Sequence, residues 1–345
     1  MSRPLRVVLT GATGFVGSRV LHELAASARE TGRELSVRAL GRSASAPASA
    51  SAPASAPVPA SATTSAWAVP GVTWVPVDLT DRASLRGAEG GADVLIHLAS
   101  RISGDEAQCA AVNMRGTAAL VDAAVHWGVD RVVHLSTAAV YGPGPHRGIA
   151  VDEIAPAPVS PASRTRLAGE TPVLAAGGIV LRPGLVLGAG DRWVVPALAE
   201  LLERVPARWD GGRGMLSLVD VDDLARLITA LATAPDAPAS GVYHASHPRP
   251  VSNGDLMAAL AALDVLPSAE EDWPWGACLD RLRSTPGRMS ERQFSLLAQD
   301  HWYASEDIWH ATSCPPGPGP LSRLAAAAPW YRAFLAERRA AGAAR

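Results

Sequence analysis

Thr10-Gly11-Ala12-Thr13-Gly14-Phe15-Val16-Gly17-Ser18 follows an apolar run, Leu5 to Leu9, and leads into a helical pattern that begins at Phe15. A tight glycine turn between a strand and a helix offers backbone N–H groups to a pyrophosphate, and the helix N-terminus adds a favourable field. In this reading Gly11 permits the sharp turn, Gly14 lets phosphates approach and Gly17 lets the helix pack on the strand. Three spaced glycines alone also mark ordinary turns. The strand before them and the helix after them supply the context that a dinucleotide site requires. The backbone of Gly11, Thr13, Gly14, Phe15, Val16 and Gly17 is therefore expected to cradle a dinucleotide.

The rest of the chain continues the alternation. Strand patterns fall at 5–10, 36–41, 72–77, 94–98, 131–136, 178–182 and 242–245, and helical patterns at 15–28, 83–89, 107–127, 163–176, 194–204 and 221–232. Continuous apolar strands separated by helices predict an α/β fold, a Rossmann-like doubly wound parallel sheet covered on both faces. Beyond residue 250 the rhythm fades. Trp193, Trp209, Trp273, Trp275, Trp302, Trp309 and Trp330 put seven of the ten tryptophans in the C-terminal half. Two units are expected: a dinucleotide-binding domain from 1–183 and 214–250, and a smaller substrate lobe from 184–213 and 251–345. The tryptophan enrichment favours a pocket for something large, flat or apolar, although such residues more often fill cores. Residues 43–66 are nearly all Ala, Ser and Pro. Such a segment cannot bury enough surface to offset its ordering entropy and reads as a disordered insertion.

Composition removes several function classes. The chain has 345 residues and a net charge of −2, a balance that gives no support for nucleic-acid binding through a basic face. It lacks an apolar run of membrane-span length, and its N-terminus enters a strand directly, so a cytoplasmic protein is expected. Cys109, Cys278 and Cys314 are too widely spaced for a disulfide framework or a zinc site. Asp220, Asp222 and Asp223 suit the start of a helix better than a metal. All 31 basic residues other than histidine are arginine and none is lysine, which reads as the coding bias of a GC-rich genome.

Several segments together resemble the extended short-chain dehydrogenase/reductase family, the NAD-dependent epimerase/dehydratases. They are Thr10–Ser18, Val77–Asp81, Ile96–Ala99, Val112–Thr117, Leu135–Gly142, Leu181–Gly184 and Val219–Ala225, in order over residues 10–250. The resemblance implies that Asp78 and Leu79 border the adenine, and that Leu98, Ala99 and Ser100 pass the cofactor ribose. Ser136 and Arg166 would contact the cofactor, and Pro183 and Gly184 would flank the nicotinamide. Arg42 ends the second strand, where an acidic residue would meet the 2′-hydroxyl of NAD and an arginine accommodates the 2′-phosphate of NADP. NADPH is therefore the expected cofactor, with Arg38 a weaker helper. Pairing through helices such as 107–127 and 163–176 is common in the family and implies a homodimer.

The resemblance breaks at its catalytic element. The family uses a Ser or Thr with a Tyr-x-x-x-Lys dyad. Thr137 matches the hydroxyl, but aligning on Glu170 puts Ala162 where the tyrosine belongs and Arg166 where the lysine belongs. Tyr141 reads as structural. An arginine does not give up its proton and an alanine offers none. Epimerases and dehydratases begin by oxidising an alcohol and need a base, whereas ketone reduction needs a donor to the developing alkoxide. Thr137 and Ser100 are the expected donors. The leading expectation is an NADPH-dependent ketoreductase for a bulky aromatic or polyketide ketone in secondary metabolism. It resembles dyad-less members of the superfamily that reduce angucyclinone ketones. The alternatives are a non-catalytic NADP-binding redox sensor, and an epimerase or dehydratase with its base relocated to His146, His244 or Asp191.

Overall fold

The computed structural model describes residues 4–43, 69–88, 90–234, 238 and 240–343, so all but the first residue of the Ala/Ser/Pro segment lies outside the described residues. Seven strands form the main sheet: β1 (Leu5–Thr10), β2 (Leu35–Gly41), β3 (Val72–Pro76), β4 (Val94–His97), β5 (Arg131–Leu135), β6 (Ile179–Arg182) and β7 (Gly241–His244). All neighbours pair in parallel, in the spatial order β3-β2-β1-β4-β5-β6-β7. This is the Rossmann-like doubly wound α/β sheet. The order reverses between β1 and β4, and crevices at such switch points receive ligands beyond the strands' carboxyl ends.

The strands are apolar throughout because helices cover both faces. On one face Leu5, Val7 and Leu9 pack with Val20, Leu21 and Leu24 of α1 (Phe15–Thr31) and with a second helix described below. On the other face Val8, Leu95, Val132 and Val180 meet Leu120 and Ala124 of α2 (Thr117–His126) and Val173 of α3 (Pro161–Ala175). Two further helices follow in the chain, α4 (Val194–Arg204) and α5 (Val221–Thr233). Leu224, Leu227, Ile228 and Leu231 of α5 complete the α1 side of the sheet.

A second apolar cluster joins Leu198 and Leu201 of α4 to residues further along the chain. These lie on α6 (Asn253–Ala262), α7 (Trp275–Ser284), α8 (Glu291–Ala298) and, beyond a short helix at Glu306–Ala311, α9 (Leu324–Ala343). Ile308 and Trp309 return to the sheet's own core.

Two helical expectations change. The stretch 107–127 is not one α-helix: Glu106–Ala110 leads into a π-helical segment, Ala111–Gly116, before α2. Asn113 is buried there, and its side chain accepts from the Arg101 amide at 2.7 Å and donates to the Arg101 carbonyl at 2.8 Å. A wider turn of this kind accommodates an inward-facing polar side chain. The expected helix at 83–89 shrinks to a 3₁₀ turn, Arg82–Leu85, because Gly87 takes φ +78° and turns the chain away. Tryptophan placement is also mixed. Trp209 and Trp309 are core residues, whereas Trp275 is half-buried.

Candidate active site

The glycine turn is built by steric necessity. Gly11 has φ +73°, and a Cβ there would lie 2.7 Å from the Ala99 nitrogen. A Cβ on Gly17 would come within 2.0 Å of the Gly11 carbonyl oxygen. The Gly14 amide donates to that same carbonyl at 2.9 Å, and Gly14 caps α1 without a side-chain hydrogen bond or an acidic residue in the first turn. First-turn amides left in this way call for an external anion, and a dinucleotide pyrophosphate fits them.

The turn is held from behind by a buried relay. Thr10 Oγ1 accepts from the Ala99 amide at 3.2 Å and lies 2.7 Å from His97 Nδ1, while His97 Nε2 lies 2.9 Å from Thr117 Oγ1. Each hydroxyl can either donate or accept, so the ring bridges both threonines in either tautomer. Burial lowers His97 to about 4, so the ring is neutral.

At the expected adenosine end, Arg42 is exposed just past β2. Asp78 receives the amide and hydroxyl of Thr80 at 2.9 and 2.7 Å. These bonds hold its carboxyl below the usual range, and the Arg42 charge adds to the effect. Leu79 is half-buried beside it. Arg38 instead donates to the carbonyls of Ala88 and Gly87, so it serves the 87–88 loop and not the Arg42 position. Leu98 and Ala99 are half-buried and Ser100 is exposed on the loop after β4.

The catalytic edge is organised around a buried ion pair. Arg182 grips Glu170 through two bonds, 3.1 and 2.6 Å, with both side chains almost wholly buried. Ser136 Oγ donates to the same carboxylate through a very short bond. Arg182 also donates to the Tyr141 hydroxyl at 2.9 Å, and that hydroxyl meets His244 Nε2 at 2.8 Å. Tyr141 is thus a buried strut, as its sequence reading holds. The ion pair joins α3 to β6, Ser136 brings in the end of β5, and the Ala138 amide reinforces the join by donating to the Pro183 carbonyl at 2.8 Å. Gly184 is pinned as well: its amide donates to Ser246 Oγ at 2.9 Å, and a Cβ would strike the Ser217 carbonyl at 2.3 Å.

Thr137 caps the short helix Ala138–Tyr141, its Oγ1 accepting from the Ala139 amide at 3.2 Å. That bond leaves the hydroxyl proton available to a ligand. Arg166 reaches from α3 to the carbonyls of Leu135 and Ser136 at 2.9 and 2.5 Å, and its Nε has no partner. Burial lowers its guanidinium to about 10, which still leaves it charged near neutral pH. Ala162 sits one turn earlier in α3 and contributes only its backbone carbonyl, to Thr165 Oγ1.

The relocated-base positions are engaged in structure. Asp191 accepts from the amides of Trp193, Val194 and Val195. His146 bonds the Gly142 carbonyl, and His244 bridges Tyr141 and the Ala304 carbonyl. Asp220 accepts from the Asp222 amide as a helix cap, and no metal-like cluster occurs among the described residues. The three cysteines are buried and free. No helix among the described residues is long and apolar enough to cross a membrane.

The expected site residues therefore gather along one edge, at the carboxyl ends of the strands. Sequence reasoning did not foresee the Glu170–Arg182–Ser136 cluster. Its only signals were an aligned glutamate in α3 and the arginine of Leu181-Arg182-Pro183.

The NAD dependent epimerase/dehydratase family model matches residues 7–245, more than half of the chain. The chain belongs to that family. It is an oxidoreductase-type enzyme built for a nicotinamide dinucleotide. A 4-hydroxy-2-methyl-3-oxo-4-farnesyl-3,4-dihydroquinoline-1-oxide ketoreductase of Stigmatella aurantiaca is 30% identical over 269 residues, covering 74% of this chain and 72% of that protein. A 2-alkyl-3-oxoalkanoate reductase of Stenotrophomonas maltophilia is 28% identical, covering 69% of this chain and 80% of its own. Among solved structures, UDP-glucose 4-epimerase of Thermotoga maritima superposes with a TM-score of 0.68 at 17% identity, covering 96% of this chain and all of the other. That structure shares the fold.

Proposed function

We propose that this chain is an NADPH-dependent ketoreductase for a bulky aromatic or polyketide-like ketone. The observation that carries the reading is the composition of the catalytic edge. A free hydroxyl donor, Thr137, stands beside a fixed cation, Arg166, and the family's tyrosine position holds Ala162. Such an edge stabilises a developing alkoxide and lacks the base that would start from an alcohol. The two reductase relatives, named for oxo compounds, support the direction.

When bound, NADPH supplies hydride to the carbonyl carbon. This chain's part is to hold the carbonyl oxygen with Thr137 and Ser100, to keep Arg166 at the ribose side, and to close the nicotinamide flank with Pro183 and Gly184. The proton that completes the alcohol comes from water or from a hydroxyl beside the carbonyl. Arg42, exposed past β2, would meet the 2′-phosphate.

The test is NADPH oxidation with a hydroxyl-flanked aryl ketone, run beside UDP-glucose and with NADH in place of NADPH. Turnover of the ketone with NADPH, silence with the sugar nucleotide, and a loss of NADPH preference of about tenfold or more in Arg42→Ala are expected, since a charge-assisted bond contributes about 1.5–3 kcal/mol. Tight NADPH binding without turnover of any such ketone would leave a redox sensor as the better reading.

A further inference from the structure

A cavity of about 300 Å³ opens next to the catalytic edge, between the segment Ala139–Pro143 and the helices α7 and α8. Ala139 is two residues past Thr137 on the same short helical turn, so the hydroxyl donor and the cavity wall are one rigid piece. The opposite wall is apolar, made by Trp275, Leu279 and Leu296.

The polar groups of this cleft are unequally committed. Glu291 is neutralised by Arg283, which grips it through two bonds at 2.8 and 2.9 Å. His301 accepts from the Gly144 amide at 3.1 Å through Nε2 and donates to the Gln299 carbonyl at 3.2 Å through Nδ1. Ser295 donates to Gln299 Oε1 at 2.6 Å. His301 Nε2 and Gln299 Oε1 are thereby engaged within the protein, whereas the exposed Glu291 carboxylate and the Ser295 hydroxyl keep acceptor capacity. Two donors are left over: the guanidinium of the exposed Arg292, which makes no ion pair or hydrogen bond among the described residues, and the amide N–H₂ of Gln299. Both donate only.

We infer that this cleft selects substrates with an apolar ring or chain ending in an anionic, acceptor-rich group such as a carboxylate or an enolate. The apolar portion lies on Trp275, Leu279 and Leu296, the anion meets Arg292, and the reacting carbonyl turns to Thr137. The volume lies at the low end of small-molecule pockets. The inference deepens the ketone-reduction reading and rests on it for the position of the carbonyl alone.

The decisive comparison uses the full chain, NADPH and two probes, 4-benzoylbutyrate and its methyl ester. The acid is expected to show a KM at least about tenfold below that of the ester. Arg292→Gln should erase that difference by raising the acid's KM, because it removes the cation that the carboxylate meets. Equal KM values for acid and ester in the wild type, or an acid preference that survives Arg292→Gln, would overturn the inference and leave ketone reduction standing. If neither probe is reduced, binding is read from tryptophan emission, with Trp275→Phe as the reference. Preferential binding of the acid that Arg292→Gln abolishes would then uphold the cleft assignment while ketone reduction fails, and equal binding of acid and ester would overturn it.

Discussion

The glycine turn and the catalytic edge lie along the same side of one sheet, yet they are specified in opposite ways. At Gly11–Gly17 the backbone does the work, and side chains are excluded because a Cβ has nowhere to go. At Ser136–Tyr141 side chains do everything. A buried carboxylate from α3 and a guanidinium from β6 hold Ser136, next to the Thr137 hydroxyl. A site made of backbone admits little variation, so the chain keeps the family's cofactor end. A site made of side chains can be replaced piece by piece, and here the tyrosine and lysine positions hold Ala162 and Arg166.

Four measurements can break or sharpen that contrast. Gly17→Ala comes first, because it strikes the backbone of the turn itself. Its methyl would sit 2.0 Å from the Gly11 oxygen, so the turn must move and NADPH affinity should fall by about 100-fold or more. Circular dichroism separates loss of binding from loss of fold, and unchanged affinity would show that the turn does not hold the cofactor.

Glu170→Gln comes next. It strands the Arg182 cation in the interior, which typically costs about 3–5 kcal/mol, and urea denaturation should show it. A loss under about 1 kcal/mol would mean that the ion pair does not fasten the edge.

Thr137→Ala should lower kcat by about 10²–10³, the usual cost of an oxyanion donor, and Ser100→Ala by about tenfold. If neither falls by even tenfold, the donors lie elsewhere. This is the sharpest test of the edge, because neither change touches the ion pair.

The smallest effect is on stability near neutral pH. Burial lowers His97, behind the glycine turn, and His244 and His301, behind the catalytic edge, to about 4 each. Unfolded imidazoles bind protons below about 6.5, so in the window from 6.5 to 4 the unfolded state holds more protons and stability falls as pH falls. Asp220, raised to about 6 by burial, acts in the opposite sense over its own range, as do the raised carboxyls of Asp191 and Glu23, while burial lowers His134, His146 and His247 as well. A net loss of about 1–2 kcal/mol from pH 7 to pH 6 is expected in thermal melts, and a flat profile would refute neutral buried rings at both regions.

Much of this was legible from residues alone. The strand positions, the glycine turn and the reading of Asp220 as a cap follow from periodicities and local chemistry that neighbouring residues settle among themselves. The helix at 107–127 was misjudged because Asn113 bonds Arg101, whose place depends on how β4 ends. Arg38 was weighed as a cofactor contact, yet it bonds the 87–88 loop fifty residues on. Trp209 and Trp275 look alike as letters, while one is core and the other lines a cleft.

The sequence by itself determined the parallel doubly wound sheet, the glycine turn between its first strand and helix, and the absence of the tyrosine–lysine dyad. Apolar period, glycine spacing and residue identity are properties of short stretches of chain. Only the tertiary structure decided what stands in place of the dyad. The partners of Ser136 are Glu170 and, through it, Arg182, from a helix and a strand remote in the chain, and the donors left to a ligand emerge only after all such pairings are made.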